Sequence, residues 1–257
     1  VFMLETFIAL LAAHAVADFV LQFDWIIDRK RKREVFALHI VIVGGTAAIA
    51  LGLWPGNLAE GLAAVGLVGL THAGLDAIKT WGRAPSKLVA ARGWDFESFC
   101  LDQAGHLGVI VFVAALFPEA YGAGVWAAET PGEGALVTAG LAVASGFLIA
   151  TRAGQFLITE FMKRFPLKET KDAEDPDQGL VNGGAWIGLL ERAFTFCLVL
   201  AGRFEAIGFL LAAKSVLRFS YAAQDRSHSE YVIIGTLMSI GWAIAAAALT
   251  GLLLQAL

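Results

Sequence analysis

Apolar runs of about 20 residues recur along this chain, and they limit its possible folds more than any other feature. A helix of that length crosses the hydrocarbon core of a bilayer and satisfies its own backbone polar groups. Only 16% of the residues are charged and the mean hydropathy is +0.68, whereas soluble domains have about 25% charged residues. We therefore expect an all-α, polytopic transmembrane helical bundle, and not a soluble helical protein.

Eight membrane spans are predicted from these runs. They cover residues 3–22, 35–54, 61–80, 98–117, 135–158, 182–201, 205–221 and 231–255. We expect the first run to be a span and not a secretory signal, because it carries Glu5, His14 and Asp18 and no basic residue precedes it.

Basic residues are concentrated in alternate connections between the predicted spans. The richest stretch is "RKRKR" at 29–33, and others lie at 79–92, 152–171 and 218–226. Cytoplasmic loops carry the excess of lysine and arginine, so we place these connections in the cytoplasm. Both termini then lie on the opposite side of the membrane, which is consistent with an even number of spans.

The pattern predicts four regions. A four-helix half at 1–118 precedes a long fifth helix at 135–165, whose polar stripe indicates an amphipathic cytoplasmic extension. A polar linker at 166–181 leads to a three-helix half at 182–257. The two cysteines, Cys100 and Cys197, lie in apolar runs and are interpreted as small core residues, not as a disulfide or a metal pair.

Histidine and aspartate recur four residues apart on three of the first four predicted helices. Such residues share one face of a helix, and the predicted topology brings all of them towards the cytoplasmic end of the bundle. The pairs are His14 with Asp18, His72 with Asp76, and Asp102 with His106, and His39 on the second helix joins them. Four of the five histidines therefore fall in one slab, about 10–12 Å thick at 1.5 Å per residue.

Imidazole and carboxylate together indicate a divalent metal site, because ionisable groups inside a bilayer must pair or bind an ion. The predicted ligands are His14, His39, His72, Asp76, Asp102 and His106. Zinc is the first expectation, with manganese and iron as alternatives. A proton or ion relay, or hydrogen-bonded contacts between helices, also remains open.

The second half carries charges inside its predicted spans. Glu191, Arg192 and Glu230 are interpreted as structural ion pairs, with Lys214 or Arg218 as partners. The alternative is a cationic patch for a lipid phosphate or a carboxylate, formed by Asn182, Lys214 and Arg218.

Several motifs resemble an uncharacterised family of bacterial polytopic inner-membrane proteins. In the first half these are "HAVADFVLQ", "THAGLDAIK" and "DQAGH", and in the second they are "NGGAWIGLLER", "AAKSVLRF" and "SEYVIIGTLMS". The resemblance implies a protein of the bacterial inner membrane, so that both termini would lie on the periplasmic side, and it implies no activity.

The leading functional hypothesis is a membrane-embedded, metal-dependent hydrolase that acts on a lipid or other amphiphile at the cytoplasmic leaflet. Asp18 and Asp102 are the candidate catalytic carboxylates. The candidate substrate-binding residues are Gln22, Lys79, Gln103, Asn182, Lys214 and Arg218. We expect lipid and a small anionic or amphiphilic molecule as partners, and no nucleic acid. The alternatives are a transporter or channel for a divalent metal, protons or a small anion, and a cofactor-binding or scaffolding subunit of a membrane complex.

Overall fold

The computed structural model describes residues 2–53, 59–82, 95–128, 133–166, 182–222 and 226–257, and these residues form helices joined by turns, with no β-strand among them. The α-helices are α1 (Phe2–Phe19), α2 (Asp24–Arg29), α3 (Arg33–Ala50), α4 (Ala59–Trp81), α5 (Asp95–Leu116), α6 (Val125–Ala128), α7 (Glu133–Leu148), α8 (Gly154–Met162), α9 (Gly183–Leu200), α10 (Phe204–Ala222) and α11 (Arg226–Ala256). A π-helical segment, Ile149–Ala153, joins α7 to α8.

Seven helical segments in the described part of the chain are long and apolar enough to cross a membrane. The predicted all-α, polytopic membrane fold is thus confirmed. The seventh predicted span, 205–221, corresponds to α10, which is 19 residues long but carries Glu205, Lys214 and Arg218. With three charged residues along its length, α10 is not among these seven segments.

The chain divides into two compact units, Val1–Leu148 with Leu252–Leu257, and Ile149–Gly251. In the first unit, α1 packs against α3, α5 and α7, while α4 packs against α3 and α5. Half of the most apolar stretch of α1 is buried, a larger share than in the other candidate spans. Thus α1 is the central helix of this unit, and polar groups on it lie inside the bundle.

In the second unit, the π-helical segment packs against α9, and α9 packs against α10. Ala150, Phe196 and Ala247 form a small apolar core with Ala246. A π-helical segment has i→i+5 backbone hydrogen bonds in place of the usual α-helical ones. Two of its carbonyls accept side-chain hydrogen bonds: Trp242 Nε1 donates to the Ile149 carbonyl at 2.8 Å and Arg192 Nε donates to the Thr151 carbonyl at 3.2 Å.

Three local predictions need correction. The first predicted span, 3–22, ends at Phe19, so Gln22 lies in the turn before α2 and not on the helical face of His14 and Asp18. The short helix α2 within the basic connection was not predicted. Cys197 is a free, exposed cysteine on α9, and Cys100 is only partly buried, because a span can direct small apolar residues towards lipid as well as towards its core. Residues 167–181 of the predicted linker lie outside the described part of the chain.

Thr6 attaches the segment after α5 to the central helix. Its Oγ1 donates to the Pro118 carbonyl at 2.8 Å and accepts from the Tyr121 amide at 3.1 Å, and the residue is fully buried.

Thr6→Val is expected to lower the free energy of unfolding by about 1–3 kcal/mol, because it leaves the Tyr121 amide and the Pro118 carbonyl without their partner. Thermal unfolding in detergent measures the effect. Thr46→Val is the control, because the Thr46 hydroxyl bonds only to carbonyls of its own helix. Equal stability of the two variants would contradict this role for Thr6.

Candidate metal centre

The central helix α1 carries two polar side chains, His14 and Asp18, among neighbours that are mostly alanine. Ala9, Ala13 and Ala17 are at most 5% exposed, and small residues let neighbouring helix backbones approach closely. His14 and Asp18 lie one turn apart on this helix, with Nδ1 of His14 3.7 Å from Oδ2 of Asp18. The neighbouring helices α3 and α4 supply His39, His72 and Asp76, all of them buried.

Two imidazole nitrogens and two carboxylate oxygens, from three helices, lie close together. Nε2 of His39 lies 3.1 Å from Nε2 of His72. Oδ2 of Asp76 is 3.3 Å from each of these nitrogens. Oδ1 of Asp18 is 3.6 Å from each of them. We call these four residues the inner cluster.

The spacing of the His39, His72 and Asp76 atoms suits three ligands of a tetrahedral metal ion. Zinc binds imidazole nitrogen and carboxylate oxygen at about 2.0–2.2 Å, so neighbouring ligand atoms of a tetrahedron lie about 3.3–3.6 Å apart. The three atoms lie 3.1–3.3 Å from one another, and Oδ1 of Asp18 lies 3.6 Å from both nitrogens. Oδ1 of Asp18 is buried and has no hydrogen-bond partner among the described residues, which leaves it available to bind an ion or to accept a proton. On the opposite side of the His39 ring, Nδ1 is also buried without a partner in the described ranges.

The remaining two histidines of the slab extend the inner cluster. The His14 and His106 rings stack at 5.2 Å between centroids, and the His106 ring lies 4.2 Å from that of His72. Nδ1 of His106 lies 2.8 Å from the Asp102 carbonyl, which makes it the donor. Nε2 of His106 is then an acceptor, and no described residue bonds to it. A second ion has candidate ligands here, because Asp76, Asp102 and His106 place one ligand atom each within 4.8 Å of one another.

Lys30 is the feature of this site that the sequence interpretation missed. It follows α2 in the basic stretch, and its Nζ lies 2.7 Å from Oδ2 of Asp76. One lysine faces two carboxylates, Asp18 and Asp76, so with neutral imidazoles the inner cluster and Lys30 carry one excess negative charge. A buried excess charge is costly, and a bound cation or one additional proton would neutralise it.

Two more of the predicted residues pair close to the cluster. Nζ of Lys79 lies 2.7 Å from Oδ2 of Asp102, and Gln103 contacts both Asp102 and His14. Asp102 is therefore balanced by a lysine, whereas Asp18 has no lysine or arginine partner in the described ranges. This difference favours Asp18 over Asp102 as the carboxylate available for chemistry.

The predicted residues of the second half lie in the second unit and do not gather at one point. Lys214 pairs with Glu191, with Nζ–Oε distances of 2.6 and 2.7 Å. Arg192 binds a carbonyl and the Ser239 hydroxyl, and no carboxylate of the described residues pairs with it.

Asn182 is exposed and has a left-handed φ of 60° before α9, and Glu230 lies exposed near the start of α11. The Arg218 side chain, and with it the predicted contact to Glu230, lies outside what the structure describes.

Lys30→Met is expected to raise the affinity for zinc about tenfold or more, because it removes the cation that competes for Oδ2 of Asp76. Titration against a competing chelator in detergent measures this affinity. Lys32→Met is the matched control, since Lys32 is exposed in the same connection. Weaker zinc binding by Lys30→Met than by the control would show that Lys30 does not compete with a metal.

The fold and the cluster define a polytopic helical membrane protein with a buried histidine–aspartate centre. Residues 6–126 match the family described as "Protein of unknown function (DUF3307)". This match confirms the predicted resemblance to an uncharacterised family over those residues, which include most of α1 and all of α3, α4 and α5, and so all the residues of the cluster. No curated protein and no solved structure matches the chain.

Proposed function

We propose that the protein is a membrane-embedded, metal-dependent hydrolase that acts on an anionic amphiphile. The observation that supports this most is the close grouping of Nε2 of His39, Nε2 of His72 and Oδ2 of Asp76, 3.1–3.3 Å apart, with Oδ1 of Asp18 3.6 Å from both nitrogens. Two neutral imidazoles and one carboxylate are a common ligand set of catalytic zinc, which keeps a further position for water or substrate.

In this proposal His39, His72 and Asp76 hold the ion, and zinc is the metal that the ligand set favours. The metal would supply a Lewis acid that polarises the scissile group and activates water. Asp18 lies 3.6 Å from both imidazoles, so it serves as general base when it is not a ligand. His14 lies beside Oδ2 of Asp18 and orients this carboxylate.

Charge supports an anionic substrate. A divalent ion would convert the single excess negative charge of the inner cluster and Lys30 into a single positive charge. An anionic group beside the ion would then restore neutrality. The proposed contacts for the rest of the headgroup are Lys79 and Gln22. The Lys79 side chain is 48% exposed, and Gln22 lies in the turn after α1. Asn182, Lys214 and Arg218 stay proposals for substrate binding, and Lys214 would have to release Glu191 to take part.

The membrane side follows from Lys30. This residue belongs to the basic stretch 29–33 and contacts Asp76, so the cluster lies at the basic end of the bundle. Basic connections remain in the cytoplasm. We therefore propose that substrates reach the cluster from the cytoplasmic leaflet of a bacterial inner membrane.

The test is hydrolysis by the purified protein, reconstituted in vesicles of anionic phospholipids and acyl amides, with products identified by mass spectrometry. We expect products that disappear with a chelator and return with zinc. His72→Ala and Asp18→Asn should lose at least about 100-fold in rate, since each removes a ligand or a proton acceptor. Thr71→Val, whose hydroxyl bonds only within α4, is the control. Hydrolysis that survives removal of the metal would refute the proposal.

A transporter of protons or a divalent metal is the second candidate. One extra proton on an imidazole would also neutralise the inner cluster, and the cavity that His14, His72 and His106 line has a volume of only about 10 Å³. That volume is close to the room one water molecule needs, so it suits an ion better than a headgroup. Metal or proton flux into liposomes that His72→Ala abolishes, without hydrolysis of any lipid, would favour this candidate.

A further inference from the structure

The second unit contains a cavity of about 750 Å³ that is unrelated to the histidine cluster. It lies among α8, α9 and α11, with Lys214 of α10 at its wall. Its volume falls in the range of sites for small organic ligands, about 300–1,000 Å³. Much of the wall is apolar, and Ile158, Met162 and Ile187 belong to it.

Arg192 lines this cavity and is 3% exposed. Its Nε donates to the Thr151 carbonyl at 3.2 Å, and its Nη1 donates to Oγ of Ser239 at 3.2 Å. Nη2 is buried and has no partner among the described residues. The guanidinium therefore donates to two neutral groups and makes no direct ion pair in the described ranges, although the neighbouring Glu191 acts on it at longer range.

The other charges at the cavity wall are balanced. Lys214 pairs with Glu191, and Lys163 pairs with Glu160 at 2.6 Å. Of the lysine and arginine residues at this wall, Arg192 is therefore the one without a carboxylate partner among the described residues. Burial of a lone guanidinium is costly, and two N–H groups in a fork bind carboxylate or phosphate oxygens most strongly.

The backbone provides room for this arginine. A Cβ on Gly188 would lie 3.1 Å from Nη1 of Arg192, and one on Gly154 would lie 3.1 Å from its Cδ and 2.6 Å from the Trp242 ring. The π-helical segment supplies the carbonyl that holds Nε. Gly154 and Gly188 thus leave space for the Arg192 side chain, and the π-helical carbonyl fixes its position beside the cavity.

We propose that this cavity binds an anionic amphiphile, with Arg192 contacting a carboxylate or phosphate headgroup and the apolar wall contacting the start of an acyl chain. This site goes beyond the proposed hydrolase activity. It depends neither on the metal nor on any residue of the histidine cluster. The sequence interpretation assigned anion binding to Lys214, which Glu191 occupies, and treated Arg192 as a structural partner.

The experiment measures binding of oleate and dioleoylphosphatidic acid to the full chain in nonionic detergent. Oleyl alcohol and dioleoylglycerol are the neutral counterparts, and inorganic phosphate and acetate are the free anions. We expect the anionic amphiphiles to bind at least about tenfold more tightly than their neutral counterparts. Equal affinity for the neutral molecules would overturn the proposal without any variant. Displacement by phosphate or acetate at concentrations equal to the amphiphile's would overturn the amphiphile assignment.

Two variants locate the binding. Arg192→Gln should lose at least about tenfold in affinity for both anionic amphiphiles and Arg192→Lys should lose less, since it keeps the charge. Arg152→Gln is the matched control, because Arg152 is exposed on the π-helical segment. Gly184→Leu, at a position of the cavity wall with open space around it, should fold normally and weaken binding by filling the cavity. Unchanged affinity in both Arg192→Gln and Gly184→Leu would refute the site. His72→Ala should leave binding intact, which separates this site from the proposed hydrolase.

Discussion

Asp76→Asn is expected to lower the affinity for zinc by at least about 100-fold, the largest effect on the proposed metal centre. The substitution removes a negative oxygen that lies 3.3 Å from both imidazole nitrogens. Loss of a supporting residue beside a ligand costs 10–100-fold in metal affinity, and loss of a ligand should cost no less. Titration against a chelator in detergent measures the change.

Asp102→Asn is the informative comparison for Asp76→Asn. Asp102 also lies near a histidine, but its Oδ2 is held by Lys79 at 2.7 Å and it lies outside the inner cluster. We expect a change of less than about tenfold, as for a residue that supports ligands. Equal losses in the two variants would show that the metal, if bound, lies nearer His106 than His39.

Glu191→Gln is expected to have the largest effect on folding, with a loss of about 3 kcal/mol in the free energy of unfolding. Breaking a buried ion pair on one side costs 3–5 kcal/mol, because the remaining charge is left buried. Glu191 and Lys214 are 9% and 18% exposed at their side chains, so the lower end of that range applies. Unfolding in mixed detergent micelles, followed by circular dichroism, measures the loss.

Two further variants test the reason for this loss. Glu191→Leu combined with Lys214→Met should recover most of the stability, because neither partner of this pair is then left as an unpaired charge. Glu160→Gln removes one half of the Lys163 pair, whose lysine is 54% exposed, and should cost at most about 1 kcal/mol. Similar losses from Glu191→Gln and Glu160→Gln would show that the Lys214 pair is effectively solvated.

Sequence patterns predicted the spans and the residue types of the cluster because both depend on short-range periodicity. Apolar runs of fixed length define helices that cross a bilayer. Spacing of four residues placed His14 with Asp18 and His72 with Asp76 on common faces, and the structure brings these pairs together with His39.

Other features depend on contacts that no periodicity encodes. The stretch 29–33 has five basic residues, and only the unpredicted turn of α2 determines that Lys30 reaches Asp76. Similarly, Arg192 follows Glu191 in the chain, which suggested a pair. Consecutive residues on a helix point about 100° apart, and Lys214 on another helix takes the carboxylate instead.

The most direct test of the metal centre is elemental analysis of the purified protein by inductively coupled plasma mass spectrometry. Wild type is compared with His39→Ala plus His72→Ala, and with Thr46→Val plus Thr71→Val as a control for substitution in the same helices. We expect about one equivalent of zinc, manganese or iron in wild type and in the control, and under a tenth of that in the histidine variant. A wild type free of metal after purification without chelators, or equal metal in all three proteins, would contradict the metal centre.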